Sequence, residues 1–368
     1  MRILAFLGFF TCLFQLMGQS SRKYVNEFMY VGAGARQFGM GKTGAASTSD
    51  VYSTYWNPAG LAEQTDKIQV GFMHNFYFQN IANFDYLTLG IKSAKNKVFG
   101  FSVLRFGVDG ILNTLDLIRN GEINYDRVTT FSAADYAFMG SYAQQTRPVR
   151  STNILVSWGG NVKIIHRKVG EFATAWGFGM DAGFKIRDYK GKWGFGVHAR
   201  DITTTFNSWD FTFTNNQKDI LSLTGNTIPK NSLELALPRF NTGGFYRYNR
   251  NKFEVLGEAN LEITTDGERN TLLKTGLISA DPRLGIEAGI REDAKKFRLV
   301  VRAGVSQFQR ETRSNGSYGI TMQPSTGIGV EIDRLRLDYA LAGFGGSGTG
   351  LYSNIISLNI GINGQAKK

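Results

Sequence analysis

From Trp176 to Ile186 every second residue is apolar: Trp176, Phe178, Met180, Ala182, Phe184 and Ile186 alternate with Gly177, Gly179, Asp181, Gly183 and Lys185. Successive side chains of a strand point to opposite faces, so this segment reads as a strand with one greasy face and one polar, close-packed face. The pattern recurs. Phe253, Val255, Gly257, Ala259, Leu261 and Ile263 alternate with Glu254, Leu256, Glu258, Asn260 and Glu262. Two further runs, Leu284 to Ile290 and Phe297 to Val305, interleave apolar residues with Arg283, Glu287, Arg291, Arg298 and Arg302. Segments of about ten residues with this period, separated by turn chemistry, are the signature of a transmembrane β-barrel.

Composition removes the main alternative. Beyond the N-terminus there is no run of about eighteen apolar residues, so any membrane span is built from strands. Only a closed barrel satisfies the backbone polar groups of strands in lipid. The 44 Gly, 28 Phe and 15 Tyr, against 6 Pro and a mean hydropathy of −0.20, suit such a wall. Strand starts fall near residues 67, 83, 97, 134, 153, 173, 192, 238, 252, 283, 296, 325, 334 and 353. That predicts an all-β fold, an antiparallel barrel of about fourteen strands, even-numbered as single-chain bacterial barrels are. Pro238 is expected to open its strand, where a missing donor matters least. Short connections at 187–192, 249–252, 292–295 and 333–334 read as periplasmic turns; longer stretches at 109–132, 207–232 and 310–324 read as extracellular loops.

The ends of the chain differ from this wall. Arg2 precedes an apolar run from Ile3 to Met17 and then Gly18, Gln19 and Ser20, the layout of an export signal, assigned to residues 1–19. The one cysteine, Cys12, lies in it, which leaves a thiol-free mature chain suited to an oxidising periplasm. Residues 20–65 do not alternate. They are rich in small residues, including Gly32, Gly34, Gly39, Gly41 and Gly44, and form an expected hatch that packs in the lumen of a barrel over 66–364, with a tail at 365–368. The outer membrane is the expected location.

Charges on one strand face must point inward, because Arg or Lys at the lipid midplane costs roughly 2–4 kcal/mol. Glu254, Glu258, Glu262, Glu287, Arg283, Arg291, Arg298 and Arg302 are therefore expected to form a lumen network across strands. The formal charge of +12 is scattered rather than gathered, which argues against nucleic acid and for outer-membrane lipid and lipopolysaccharide, or an acidic partner. Phe206, Trp209, Phe211 and Phe213 are candidate loop contacts for a partner, or else a hydrophobic wall of the lumen.

Chemistry finds little footing. Gly41-Lys42-Thr43 resembles the end of a phosphate-binding loop, but Arg36 stands where the first glycine belongs. His74, His166 and His198 are far apart and have no ligand spacing. No enzyme, cofactor or metal is expected. Trp56-Asn57-Pro58-Ala59-Gly60 is the sharpest motif; Pro presets a turn that Asn closes by local hydrogen bonds, and the same residues are suited to anchor the hatch in the lumen.

That motif, with Gly32-Ala33-Gly34-Ala35-Arg36, Gly39-Met40-Gly41, Ala45-Ala46 and Asp50 before it, resembles the N-terminal hatch of the FadL-like outer-membrane family, within it the PorV and PorQ branch. Leu337-Asp338-Tyr339-Ala340, the run Gly343 to Gly350 and Ile356-Ser357-Leu358-Asn359-Ile360 are similar to the last hairpin of that branch, although the chain ends without the usual terminal aromatic residue. The resemblance implies a fourteen-stranded barrel with a hatch. It further implies a role in type IX secretion in Bacteroidetes, partnered with a large translocon barrel and with cargo bearing C-terminal sorting domains. The alternatives are a channel for small hydrophobic molecules and an accessory subunit of another outer-membrane assembly.

Overall fold

The alternating run at Trp176 becomes part of a sixteen-residue strand, Ala173–Asp188, whose odd residues are buried and whose even residues face out. In the computed structural model, which describes residues 25–119, 121–146, 153–312, 316–344 and 352–363, fourteen such strands close a wall. In chain order they are β1 (Ile68–Tyr77), β2 (Ala82–Ala94), β3 (Lys97–Asn113), β4 (Thr129–Gln145), β5 (Ile154–Val169) and β6 (Ala173–Asp188). β7 runs through Trp193–Arg200 and Thr205–Phe211, and β8 through Ser232–Ala236 and Arg239–Arg250. β9 (Phe253–Thr264), β10 (Ser279–Glu292), β11 (Phe297–Thr312), β12 (Tyr318–Ile332), β13 (Leu335–Ala342) and β14 (Ser353–Ile362) complete it. Every neighbour is antiparallel, and β1 closes the ring by pairing Ile68 with Ile91 of β2 and with Ile362 of β14. Among the described residues, closure leaves no strand edge for lipid to meet unsatisfied.

The two ends of the barrel differ in the length of their connections. One end carries short turns such as Asn251-Lys252, where Asn251 takes the left-handed conformation (φ 52°) that Asn tolerates. The other carries the long ones, including 212–231 with a helix at Asn215–Leu223 that opens on a Thr214–Gln217 capping box. Short turns mark the periplasmic end and long loops the extracellular end. Several loops are shorter than the sequence suggested, because β3, β7, β11 and β12 extend past their apolar cores into the aqueous rim.

One part of the wall is irregular. β7 breaks at Asp201–Thr204, with Asp201 and Thr204 at φ 54° and 60°, and β8 breaks opposite it at Leu237-Pro238. Pro238 therefore does not open its strand, as its sequence context suggested. β8 already begins at Ser232, and proline sits where the ladder is interrupted, so its missing N–H breaks no bond. The export signal and the tail lie outside the described residues, as does 345–351 of the last hairpin.

Within the wall, residues 25–67 descend through the lumen from the loop end to the start of β1. Their elements are short: a 3-10 turn at Glu27–Tyr30, one helical turn at Ala35–Gly39, another at Ser53–Trp56, and a second 3-10 helix at Pro58–Glu63. None is long enough to be stable alone, so their stability comes from packing against the strands.

Candidate functional site

The hatch is seated by glycines on the inner face of the wall. A Cβ on Gly304 would stand 2.1 Å from Gly41 N, one on Gly285 2.3 Å from Met40 O, and one on Gly196 2.1 Å from Ala45 O. At Gly183 the obstacle is Asn57 Oδ1 at 2.2 Å, and at Gly159 the backbone of Pro58 at 2.8 Å. Inward glycines let backbone approach backbone where any other residue would hold the hatch away. These five inward glycines are thus a docking surface for the small-residue segment.

The hatch motif works at this contact. Asn57 is fully buried and caps the 3-10 helix, its Oδ1 accepting from Ala59 N at 3.1 Å. Its Nδ2 donates to Ala45 O at 2.8 Å and across to Phe184 O of β6 at 3.1 Å. Pro58 takes the first helical position, where its missing N–H is harmless. Trp56 donates from Nε1 to Ala33 O at 2.6 Å, and Gly60 lies where a Cβ would be 2.3 Å from Thr48 O. Ala59 is buried between them.

The lumen divides by chemistry. Towards β1–β5 the hatch buries Phe28, Phe38, Tyr52, Tyr55 and Trp56 against Met73, Phe84, Tyr86, Leu104 and Ile165. Towards β9–β13 the contact is ionic. Arg36 of the hatch reaches Glu287 at 3.0 Å; Glu287 also takes Arg302 at 2.7 Å and Arg298 at 2.8 Å. Arg302 continues to Asp338 at 2.9 Å, Asp338 to Arg336 at 2.9 Å, and Arg336 returns to Asp50 of the hatch at 2.6 Å. Charges of alternating sign so run from hatch to wall and back to hatch. Each buried ion keeps an opposite partner, without which burial would be prohibitive.

The remaining residues expected in the network have distinct placements. Glu254 binds Arg291 and Arg298, both at 2.7 Å, with Arg291 half-exposed at the short-turn rim. Arg283 pairs with Glu262 at 2.8 Å near the loop end. Glu258 instead accepts from the backbone N–H of Ala46 at 2.9 Å, so it fastens the hatch directly. Sequence reasoning missed Arg36, Asp50, Arg336 and Asp338. It also missed Lys163, which holds Asp181 at 2.7 Å and Asp201 at the β7 break, and Lys185, which holds Glu63 of the hatch at 3.1 Å. Asp181 and Lys185 sit on the inward face of the first strand recognised, which was the available signal. The Tyr30 hydroxyl of the hatch donates to Asp201; burial, with the Asp201 charge beside it, pushes that phenol well above its ordinary range and keeps its proton in place.

The aromatic residues proposed as loop contacts are mostly strand residues. Phe206, Trp209 and Phe211 belong to β7, and only Phe213 lies beyond it. Their parity separates them: Phe206 faces lipid beside Phe178, while the odd residues face the mouth of the lumen. There Trp209 donates to Glu234 at 2.8 Å under the Arg167 guanidinium, and Phe211 stacks on Phe213. With Leu112, Phe131 and Phe172 they line an open cleft of about 630 Å³ at the extracellular end.

Residues 19–156 match the family model described as Type IX secretion system protein PorV. No protein of curated function matches in sequence. Among solved structures, the Pseudomonas putida toluene transporter TodX superposes with a TM-score of 0.53 at 11% identity, over 91% of this chain and 99% of that one. The Ralstonia pickettii toluene transporter TbuX gives 0.50 at 11% identity, over 90% and 99%. A Pseudomonas aeruginosa FadL homologue gives 0.50 at 11% identity, over 89% and 97%. At these identities the structural likeness concerns the fold. The chain is an outer-membrane β-barrel of FadL-like fold, and its hatch and first strands, within residues 19–156, are similar to the family described as Type IX secretion system protein PorV.

Proposed function

We propose that this protein serves type IX secretion as a plugged barrel, using its extracellular rim to hold the translocon or the C-terminal sorting domains of cargo on their way to surface attachment. The observation that carries this reading is the seat of the hatch. Glycine contacts, the alternating ion-pair chain and Asn57 fix it to the wall from several sides, so partners meet the rim and outer surface rather than a pore. The PorV match over the hatch supports the same assignment. The mouth cleft gives such a partner apolar anchors, Phe172, Phe211 and Phe213, flanked by Lys230 and Glu234. The test is depletion of the protein in its native cell, followed by cargo location. Sorting-domain proteins are expected to lose surface attachment and accumulate inside; unchanged surface display contradicts the proposal.

A second reading, a channel for small apolar molecules, is favoured by the same cleft and by the toluene transporters that share the fold. It requires the hatch to yield. The ionic half of the lumen opposes an apolar path, because charged walls leave apolar solutes nothing to gain on leaving water. Stoichiometric hydrocarbon or fatty acid in the protein purified from its membrane would favour this reading.

A further inference from the structure

On the outer wall of β1–β6, where lipid is expected, there is a row of polar side chains. His74 stands directly opposite Asp85, Asp85 opposite Arg105, Arg105 opposite Tyr136, Tyr136 opposite His166, and His166 opposite Trp176. They touch along the row. His74 Nδ1 lies 2.7 Å from Asp85 Oδ1, Arg105 donates to Asp85 Oδ2 at 3.3 Å, and the His166 ring centre lies 4.3 Å from that of Trp176. Followed the other way from His74, the same row turns apolar, through Ile356, Tyr339, Ile328 and Val301.

Height in the membrane explains the change. Barrel strands tilt, so directly paired positions climb around the wall. Val301 lies near the short-turn end of β11, whereas His74, Asp85, His166 and Trp176 lie near the loop-side ends of their strands. Towards the short turns, the outward positions on these strands are Phe72, Leu87, Phe99, Phe101 and Ile164, a continuous apolar band. The polar row is its upper border, the level of the outer-leaflet headgroups.

At this border the wall carries a notch. A Cβ on Gly107 would meet Arg105 Nη2 at 2.8 Å, so the guanidinium lies over Gly107, leaning away from the apolar band. Gly107 stands opposite Ala134, and Ala134 opposite the exposed Lys168, which leaves two small residues between two cations. The Asp85 carboxylate is turned along the row to His74 and Arg105. We propose that this notch binds a phosphate of an outer-leaflet glycolipid of the lipid A class, clamped by Arg105 and Lys168, with its acyl chains lying on Phe99 and Phe101. Tyr136 and Trp176, amphipathic rings at the same level, border the headgroup. The site faces lipid and stands whichever function the mouth and loops serve.

The test is native mass spectrometry of the full-length protein in mild detergent, titrated with bisphosphorylated lipid A and with the same lipid stripped of both phosphates. The wild type is expected to retain one bisphosphorylated molecule and to bind the stripped lipid roughly thirtyfold more weakly, the loss of two cation–phosphate contacts. An R105Q/K168Q variant is expected to bind both lipids equally weakly. G107L, which keeps every charge but displaces the guanidinium, is expected to fall with it, and heat-modified gel mobility reports that each barrel is folded. Equal retention of the two lipids by the wild type overturns the proposal, as does a photo-crosslinker at position 136 that captures a protein rather than lipid in intact cells.

Discussion

Arg36 and Glu287, 251 positions apart in the chain, meet at 3.0 Å in the lumen, joining the hatch to the tenth strand of the wall. Glu287 is shared with Arg298 and Arg302, so the hatch residue adds a third cation to a carboxylate that the wall already pairs. The hatch and the barrel are therefore one electrostatic unit.

Arg36→Met removes that contact and leaves Glu287 with fewer cations. Glu287 keeps Arg298 and Arg302, so the loss is that of one charge-assisted hydrogen bond, about 2 kcal/mol. The expected outcome is faster hydrogen exchange over 34–56 with little change in β9–β12, read by mass spectrometry of the folded protein. Unaltered protection of the hatch would show that the ion-pair chain does not hold it.

Gly304→Val places a side chain where Gly41 N now sits, whereas Gly257→Val adds one to the outward face with open space around it. The first is expected to unseat the hatch, seen as rapid proteolysis within residues 35–60 and as new conductance in planar bilayers; the second is expected to be silent. Equal behaviour of the two would contradict the inner-face seat.

Asn57→Ala leaves the carbonyls of Ala45 and Phe184 without their donor and uncaps the Pro58–Glu63 helix, a loss of about 2 kcal/mol. Asn57→Asp is expected to be worse, since a carboxylate would face the same two carbonyl oxygens. Urea midpoints of the refolded barrels rank the three proteins, and a stable Asp variant would refute the assigned orientation.

At the mouth, Phe211→Ala with Phe213→Ala removes two stacked rings without touching the membrane band. The expected result is at least about tenfold weaker capture of a cargo sorting domain, measured by surface plasmon resonance, with unchanged thermal stability of the barrel. Undiminished capture would remove the cleft from the proposed rim.

The wall was legible because period-two alternation is enforced by lipid on every strand, and strand starts read from it fall within a few residues of the observed ones for most of the barrel. Departures came where lipid does not set the pattern. β8 starts at Ser232 rather than at Pro238 because its first part lies at the mouth, beyond the break opposite Asp201–Thr204. Phe206 and Trp209 were grouped by proximity, although their parity already assigned them to opposite faces. The acid–base residues of β9–β11 could be read from their strand face, and Arg336 and Asp338 carry the same signal between Leu335, Leu337 and Tyr339, whereas Arg36 and Asp50 lie outside the alternating wall. Arg36 meets Glu287 251 positions away and Asp50 meets Arg336 286 positions away, and no local pattern encodes a contact made only when the barrel closes.

The most direct measurement of the central claim is affinity purification of the native protein from its outer membrane in mild detergent, with mass spectrometry of co-purifying proteins and bound lipid. The account predicts a large translocon barrel or sorting-domain cargo at near-stoichiometric amounts. A solitary barrel carrying stoichiometric hydrocarbon or fatty acid would contradict it.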